Sequence, residues 1–237
     1  MTMHVSVQKF DPSIDEAPYY VEGDIEWHEY MSALELLVAF CEQCEPVSFE
    51  ISCCGNRCGR CAMTINGTPA LVCDTPVFDG EDYTFEPLEG FPIVRDLVVD
   101  RTEFSERLIS LYDRTALEPF NEETIVPEDF DAEKNEVMST INSCIRCGCC
   151  QAACPVVAEN KEYYVGPAAM LAIAFRHFDG LDDGDRLTQA VASGLYRCIQ
   201  CGQCDEVCPE IAIDHLSIWQ MLRDEAEEAG LKPSYAD

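Results

Sequence analysis

Positive charge is scarce in this sequence. Its 237 residues include 15 lysines and arginines against 45 aspartates and glutamates, so the formal net charge is −30 at pH 7. Nucleic-acid phosphates and anionic membrane surfaces would repel such a chain. We therefore exclude nucleic acid as a partner and interpret the acidity as that of a well-solvated surface.

Long apolar runs and export signals are also missing. No apolar stretch approaches the roughly 20 residues that span a bilayer, and the run MSALELLVAFC is short and interrupted by Glu35. The first thirty residues carry no basic segment followed by an apolar one, so we expect a cytoplasmic protein without a membrane span. No nucleophile–base pattern, phosphate loop or dinucleotide fingerprint is visible, so we predict no catalytic residue on this chain.

Cysteine, by contrast, is abundant, with 16 residues. In a reducing compartment, cysteines clustered at two-residue spacing are more often metal ligands than disulfides. The first group has the plant-type [2Fe-2S] spacing C-x4-C-x2-C with one later cysteine, and Gly55 and Gly59 allow the loop to turn. Zinc is the alternative, but zinc sites favour paired C-x2-C units, and this group has only one. The predicted ligands of this first centre are Cys53, Cys58, Cys61 and Cys73.

Two further runs, CIRCGCCQAACP and CIQCGQCDEVCP, share the bacterial ferredoxin spacing C-x2-C-x2-C-x3-C-P. In two-cluster ferredoxins the fourth cysteine of each run binds the other cluster. Each predicted set then has four thiolates, enough for [4Fe-4S], whereas two zinc ribbons would leave the x3-Cys-Pro endings unexplained. The second centre takes Cys144, Cys147, Cys150 and Cys208, and the third centre takes Cys154, Cys198, Cys201 and Cys204.

The remaining cysteines are Cys41, Cys44, Cys54 and Cys149. We expect Cys41 and Cys44 to be buried small apolar residues, because no second pair lies at a zinc-like distance. Cys54 and Cys149 adjoin ligands and are expected to line the cluster pockets. His177 and His215 fall on predicted helices, and we assign neither a role.

The first hundred residues have the pattern of short strands with one helix. HVSVQKF, DIEWHEY and VSFEIS alternate apolar and polar residues, and Asn66-Gly67 is a two-residue hairpin signal. Ser32 and Glu35 form a capping box that begins a helix. A small mixed sheet packed on one helix is therefore predicted.

After Pro92 the pattern becomes helical. Leu97, Phe104, Leu108 and Leu111 follow helical spacing, and GPAAMLAIAFRHF and DHLSIWQMLRDEAEEAG are predicted helices. The segment EPFNEETIVPEDFDAEKNE, which follows Leu111 and precedes both of these helices, is acidic and punctuated by proline, which indicates a surface loop or linker. We predict an α+β chain with domains at residues 1–103 and 104–237.

Several segments together resemble the iron-sulfur subunit of succinate dehydrogenase and fumarate reductase over nearly the whole chain. They are VQKFDP, CGRCAMTING, FPIVRDLVVD, CIRCGCCQAACP, YYVGPAAMLA and the second ferredoxin run. The resemblance implies a β-grasp [2Fe-2S] ferredoxin-like domain, then an all-α helical ferredoxin domain with two cubane-type clusters. It also implies an FAD-containing catalytic subunit near the [2Fe-2S] centre and a membrane-anchor or other quinone-reactive or redox partner subunit, which would hold the chain at the inner face of the cell membrane.

Three positions depart from the pattern of this family. Most members have a [3Fe-4S] third cluster with an aliphatic residue where Cys201 stands, so we predict [4Fe-4S] here, and [3Fe-4S] only if Cys201 is not a ligand. Members that dock quinone usually have a histidine at the position of Ile199 and tryptophans at the position of the segment VVAEN. This chain has neither, which argues against the usual quinone pocket. Arg60 replaces a small residue and should raise the potential of the first cluster.

Three functions remain open. The first is electron transfer in a fumarate reductase or succinate dehydrogenase complex, and the second is the same module serving a related flavin-dependent or heterodisulfide-type reductase. The third is an iron-sulfur sensor or a structural metal protein, but a sensor needs an output such as a DNA-binding element, and no basic helix provides one.

Overall fold

The computed structural model describes residues 2–115 and 131–236 and divides them into two compact units. The first unit contains the residues up to Arg101 together with Ile145–Ala153 and Val207–Pro209. The second contains Thr102–Cys144, Cys154–Glu206 and the residues from Glu210 onward. The chain therefore returns to the first unit twice after residue 101. The division into domains at residues 1–103 and 104–237 stays a prediction.

The first unit is built on a five-stranded mixed sheet with strand order β2-β1-β5-β3-β4. β1 pairs antiparallel with β2 and parallel with β5, and β3 and β4 form the hairpin that Asn66-Gly67 predicted. Both turn residues have positive φ, 49° and 77°, as a two-residue hairpin turn requires. The strands are β1 (Thr2–Lys9), β2 (Tyr19–Glu26), β3 (Ala62–Ile65), β4 (Thr68–Leu71) and β5 (Tyr83–Glu86).

One helix, α1 (Ala33–Gln43), covers this sheet, as predicted. It begins at the capping box: the Ser32 hydroxyl accepts a hydrogen bond from the Glu35 N–H, and the Glu35 carboxylate accepts one from the Ser32 N–H. Leu36 and Phe40 are fully buried in the core that also contains the inward residues of β1. Each such side chain contributes about 1.5–3 kcal/mol by burial.

Two predictions about the first unit are wrong. VSFEIS forms no strand, because its backbone pairs elsewhere: the Ser48 N–H donates to the Asp96 carboxylate at 2.8 Å, and the Ser48 carbonyl accepts from the Leu97 N–H at 3.1 Å. Leu97 is not helical, since it lies buried between two short strands, β6 (Ile93–Arg95) and β7 (Val98–Val99). The predicted strand DIEWHEY contributes only its first three residues to β2.

The second unit is helical, as predicted. Its central helix is α6, whose first eight residues are buried and which packs against α2, α3, α7 and α9. The α-helices that follow α1 in the described residues are α2 (Thr102–Tyr112), α3 (Ala132–Ile141), α4 (Cys149–Ala152), α5 (Pro155–Glu159), α6 (Pro167–His177), α7 (Arg186–Ala192), α8 (Gln203–Glu206) and α9 (His215–Glu228). Of these, α4 belongs to the first unit. Within the described ranges, none of the helices is both long and apolar enough to cross a membrane.

Residues 118–130 of the predicted loop at 118–136 lie outside the described residues. Its last residues are helical instead, because the Asp131 carboxylate caps the first turn of α3 by accepting from the N–H groups of Glu133 and Lys134. The fold as a whole is the predicted α+β arrangement of a mixed-sheet domain followed by a helical one.

Candidate metal centres

The loop of the first centre turns its N–H groups toward sulfur. Cys54, Asn56 and Gly59 all have positive φ, at 50°, 51° and 66°. This winding points the Arg57 N–H at the Cys53 sulfur, with a nitrogen–sulfur distance of 3.4 Å. Donors of this kind stabilise a thiolate and, in iron-sulfur proteins, the cluster sulfurs.

The sulfurs of this centre lie in neighbouring pairs. The Cys61 and Cys73 sulfurs are 3.3 Å apart, and the Cys58 thiol hydrogen-bonds to Cys53. The N–H groups of Gly55 and Arg57, with the Cys58 thiol, lower the pKa of Cys53 to about 7, whereas burial raises the pKa of Cys61 to about 12. Metal coordination deprotonates a thiol outright, so this set of sulfur donors fits an iron-sulfur cluster.

Some residues in and around the first centre differ from their predicted positions or exposure. Cys73 is in a turn two residues after β4 rather than in the strand itself. Cys54 is exposed. The prediction that Cys44 is buried is wrong, since it lies exposed just after the end of α1, whereas Cys41 is partly buried. The Arg60 side chain is 59% exposed and paired with Glu50 at 3.4 Å, so solvent screens its charge.

The two ferredoxin runs share one backbone conformation. Arg146 and Gln200, each two residues after the first cysteine, have φ of 56° and 55°, and the next glycines, Gly148 and Gly202, have 87° and 81°. Each run then enters a short helix, α4 or α8, that carries its third cysteine. This equivalence over residues that are otherwise rare at positive φ marks a true structural repeat.

The fourth cysteine of each run lies with the other run. Cys208 belongs to the first unit, with the segment that carries Cys147 and Cys150. Cys154 belongs to the second unit, with Cys198, Cys201 and Cys204. This grouping of the segments agrees with the crossed pairing expected from ferredoxin spacing, and the ligand sets stay a prediction. Cys144 lies at the end of a segment of the second unit.

The second-centre segment packs against the loop of the first centre within the first unit. A Cβ added to Gly59 would lie 2.7 Å from the Cys147 Cα, so only glycine fits there. A hydrogen bond from the Cys149 thiol lowers the pKa of Cys147 to about 7. Cys149 is fully buried, and the same bond together with burial raises the pKa of Cys149. Its thiol therefore keeps its proton and donates a hydrogen bond to the predicted ligand Cys147.

The four cysteines predicted for the third centre line one pocket, which is partly open to solvent. Burial raises the pKa of Cys204 to about 12 and also raises that of Cys198, against the Gln200 N–H and the charge of Arg223. Cys201 is exposed on one side of this cavity. The other lining residues are Val156, Tyr164, Pro167, Ile199, Gly202, Gln203 and Leu216, so the donor set of four sulfurs in a largely apolar wall fits a four-iron cluster.

Two polar features near the centres have no signal in the sequence. His215 is fully buried and its ring nitrogen Nδ1 lies 2.7 Å from Asp205, next to Cys204; burial lowers the pKa of His215 despite this carboxylate. Arg101 binds backbone carbonyls on both the first-centre loop and the second-centre segment. Neither contact follows a local sequence pattern, because Asp205 is ten residues from His215 and the carbonyl partners of Arg101 at Gly59 and Cys147 are 42 and 46 residues away.

Comparison with known families matches two domain models to this chain. The 2Fe-2S iron-sulfur cluster binding domain matches residues 4–106, and the 4Fe-4S dicluster domain matches residues 140–211. The fold and the cysteine sets therefore define an iron-sulfur electron-transfer protein.

Similarity to individual proteins identifies the family within this class of iron-sulfur proteins. The chain is 32% identical to the fumarate reductase iron-sulfur subunit of Haemophilus influenzae over 88% of this chain and 87% of that one. A solved structure, the Mycobacterium smegmatis Sdh1 complex in the apo form, contains a chain that superposes with a TM-score of 0.83 at 26% identity, covering 98% of both chains. The chain belongs to the family of iron-sulfur subunits of fumarate reductase and succinate dehydrogenase.

A longer relative is also similar. It is a subunit of the fumarate reductase (CoM/CoB) of Methanothermobacter marburgensis, and it is 34% identical over 88% of this chain. This chain spans only 41% of that relative's length.

Proposed function

We propose that this chain is the electron-transfer subunit of a fumarate reductase or succinate dehydrogenase complex. One observation carries the proposal: three sets of cysteines occur in the order of the family, and the third set lines a single cavity. Electrons would pass one at a time between an FAD-containing catalytic subunit and a quinone or another redox partner. The partners would hold the chain on the cytoplasmic face of the cell membrane.

Iron-sulfur clusters, when bound, accept and release single electrons without breaking a covalent bond of the protein. The chain's own residues hold the thiolates and set their surroundings. The N–H groups of Gly55 and Arg57 stabilise negative charge on Cys53, and the Gln200 N–H does the same for Cys198. Burial of Cys147 and Cys204 excludes water from the sulfurs, which keeps these interactions strong.

The third centre is proposed to hold four irons rather than three. Cys201 lines the same cavity as Cys154, Cys198 and Cys204, and its charge contributes to the pKa of Cys154 and of Cys198. An aliphatic residue at this position would leave three sulfur donors and one iron without a protein ligand. The geometry supports a fourth ligand from this chain.

Anaerobic iron quantitation with EPR tests this assignment. We expect about ten irons per chain, the sum of one [2Fe-2S] and two [4Fe-4S] clusters. The Cys201→Ile variant should hold about nine and show the signal of an oxidised [3Fe-4S] cluster, because one iron loses its thiolate. The measurement is repeated on the purified wild-type chain and on the variant under the same reconstitution.

Cys54→Ser is the matched control, since Cys54 is exposed and lies outside all three sets. It should retain the wild-type iron content and spectrum. A wild-type protein with about nine irons and a [3Fe-4S] signal would contradict the four-iron assignment, and zinc in place of iron would contradict the proposed function altogether.

A second function needs a separate test: the same module serving a related flavin-dependent or heterodisulfide-type reductase. The similarity to a subunit of the fumarate reductase (CoM/CoB) favours it, and so does Ile199, which is 64% exposed at the third-centre cavity where quinone-docking members usually have histidine. The complex would be purified with its natural partners and assayed for fumarate reduction with quinol and with thiol donors. Electron delivery from thiols alone would select this second function, and delivery from quinol alone would exclude it.

A further inference from the structure

Arg101 occupies an unusual position at the end of the first unit. Its guanidinium donates four hydrogen bonds, and each of them ends on a backbone carbonyl oxygen. Nη1 reaches Gly59 at 2.8 Å and Cys147 at 3.0 Å, while Nη2 reaches Ala62 at 3.0 Å and Arg60 at 3.4 Å. A planar fork with five donors can serve several acceptors at once, which the compact ammonium of lysine cannot do with the same geometry.

These carbonyls belong to the two cysteine segments that must lie close together. Gly59 and Arg60 stand between the predicted ligands Cys58 and Cys61, and Cys147 is itself a predicted ligand of the second centre. The direct contact of Gly59 with the backbone of Cys147 is an independent sign of this proximity. One side chain therefore ties the loop of the first centre to the segment of the second.

The positive charge of Arg101 is largely withdrawn from water. Burial lowers its pKa, whereas the attraction of Glu50 and of the Cys149 and Cys147 sulfurs raises it. An arginine stays protonated in proteins even so. A cation in a region of low dielectric acts on neighbouring charges far more strongly than an exposed one, and it favours whichever redox state is more negative.

We propose that Arg101 is a positioning residue that holds the first and second centres in a fixed arrangement and raises the reduction potentials of both. The inference rests on the proposed function, because it requires clusters at these two sites. Cys53, Cys58, Cys61 and Cys73 would hold the first cluster and Cys144, Cys147, Cys150 and Cys208 the second, and one electron at a time would pass between the two, one cluster being oxidised as the other is reduced. Arg101 keeps its proton throughout and forms no new bond.

The test is an EPR-monitored redox titration of the reconstituted full chain with Arg101→Gln and Arg101→Lys. The Gln variant removes the charge, so the equilibrium constant for reducing each of the two centres should fall roughly tenfold, about 59 mV for one electron. The Lys variant retains the charge and should stay within about twofold of the wild type. Lys lacks the planar fork, so hydrogen exchange of the backbone amides at residues 59–62 and at Cys147 should become about tenfold faster.

Arg60→Gln is the matched control, because it removes a cation from the same loop that is exposed and paired with Glu50. Its effect on either potential should be less than half that of Arg101→Gln. Potentials in Arg101→Gln that equal those of the wild type or of Arg60→Gln would overturn the electrostatic part, and unchanged amide exchange in Arg101→Lys would overturn the positioning part.

Loss of iron from Arg101→Gln does not end the test, since Arg101→Lys must still combine wild-type potentials with faster amide exchange. A Lys variant whose potentials fall as far as expected for Gln overturns the proposal. Failure of the wild-type chain to bind iron at the first two sites would instead contradict the proposed function.

Discussion

The Gly59→Ala variant is expected to lose the [2Fe-2S] centre and to assemble the second centre poorly. An alanine Cβ at this position would lie 2.7 Å from the Cys147 Cα and 2.9 Å from its Cβ, distances that force backbone to move. A non-glycine residue at φ of 66° costs about 1–2 kcal/mol in addition. Because the displaced backbone carries ligands of both centres, iron content and the [2Fe-2S] EPR signal should fall together.

The Gly67→Ala variant is the control for backbone strain without the steric contact with Cys147. Gly67 also has positive φ, at 77°, but its Cβ would meet nothing within 4 Å. It should therefore cost about 1 kcal/mol of stability and leave the iron content unchanged. Equal iron loss in the two variants would show that the contact between Gly59 and Cys147 is not what matters.

The Asp182→Ala variant is expected to destabilise the second unit by about 3–5 kcal/mol, because it removes the only carboxylate that the described structure pairs with the buried Arg186 guanidinium. The Asp182 side chain is fully buried, and its two oxygens accept from the Arg186 Nε and Nη2 at 2.9 and 2.8 Å. They also accept from the N–H groups of Thr115 and Gly184. The measurement is chemical denaturation of the wild type and variant, followed by circular dichroism.

The contribution of this pair depends on pH in a defined direction. Burial alone would raise the pKa of Asp182, but the hydrogen bonds from Arg186, Thr115 and Gly184 outweigh it and lower the pKa below 3.8. A carboxylate with a depressed folded pKa stabilises fully above its unfolded pKa, and this stability is lost as pH falls through the folded value. The difference between wild type and variant should therefore stay constant between about pH 5 and 8 and shrink only in stronger acid.

Asp185→Ala provides the matched comparison three residues away. Asp185 caps α7 by accepting from the Thr188 N–H, and it is not part of the buried pair. Its loss should cost about 1 kcal/mol, as is usual for a helix cap. If Asp182→Ala costs no more than Asp185→Ala, the ion pair does not have the stabilising role assigned to it.

Local sequence signals predicted the elements whose hydrogen bonds are local. The Ser32–Glu35 capping box, the Asn66-Gly67 hairpin and the apolar helix α6 were all confirmed. The predicted strand VSFEIS failed although its alternation is sound. Its backbone groups pair with Asp96 and Leu97, about fifty residues away, and alternation carries no information about such partners.

The cysteine spacing by itself determined the class of protein, because the distance between thiolates along a short loop limits which cluster they can hold. The resemblance to the family, rather than the spacing, identified Cys201 as one of the positions where this chain departs from most members. Only the tertiary structure showed that Gly59 lies against Cys147 and that Arg101 binds carbonyls of two cysteine segments. These contacts join residues 40 or more positions apart, and packing of the whole unit, not local propensity, brings them together.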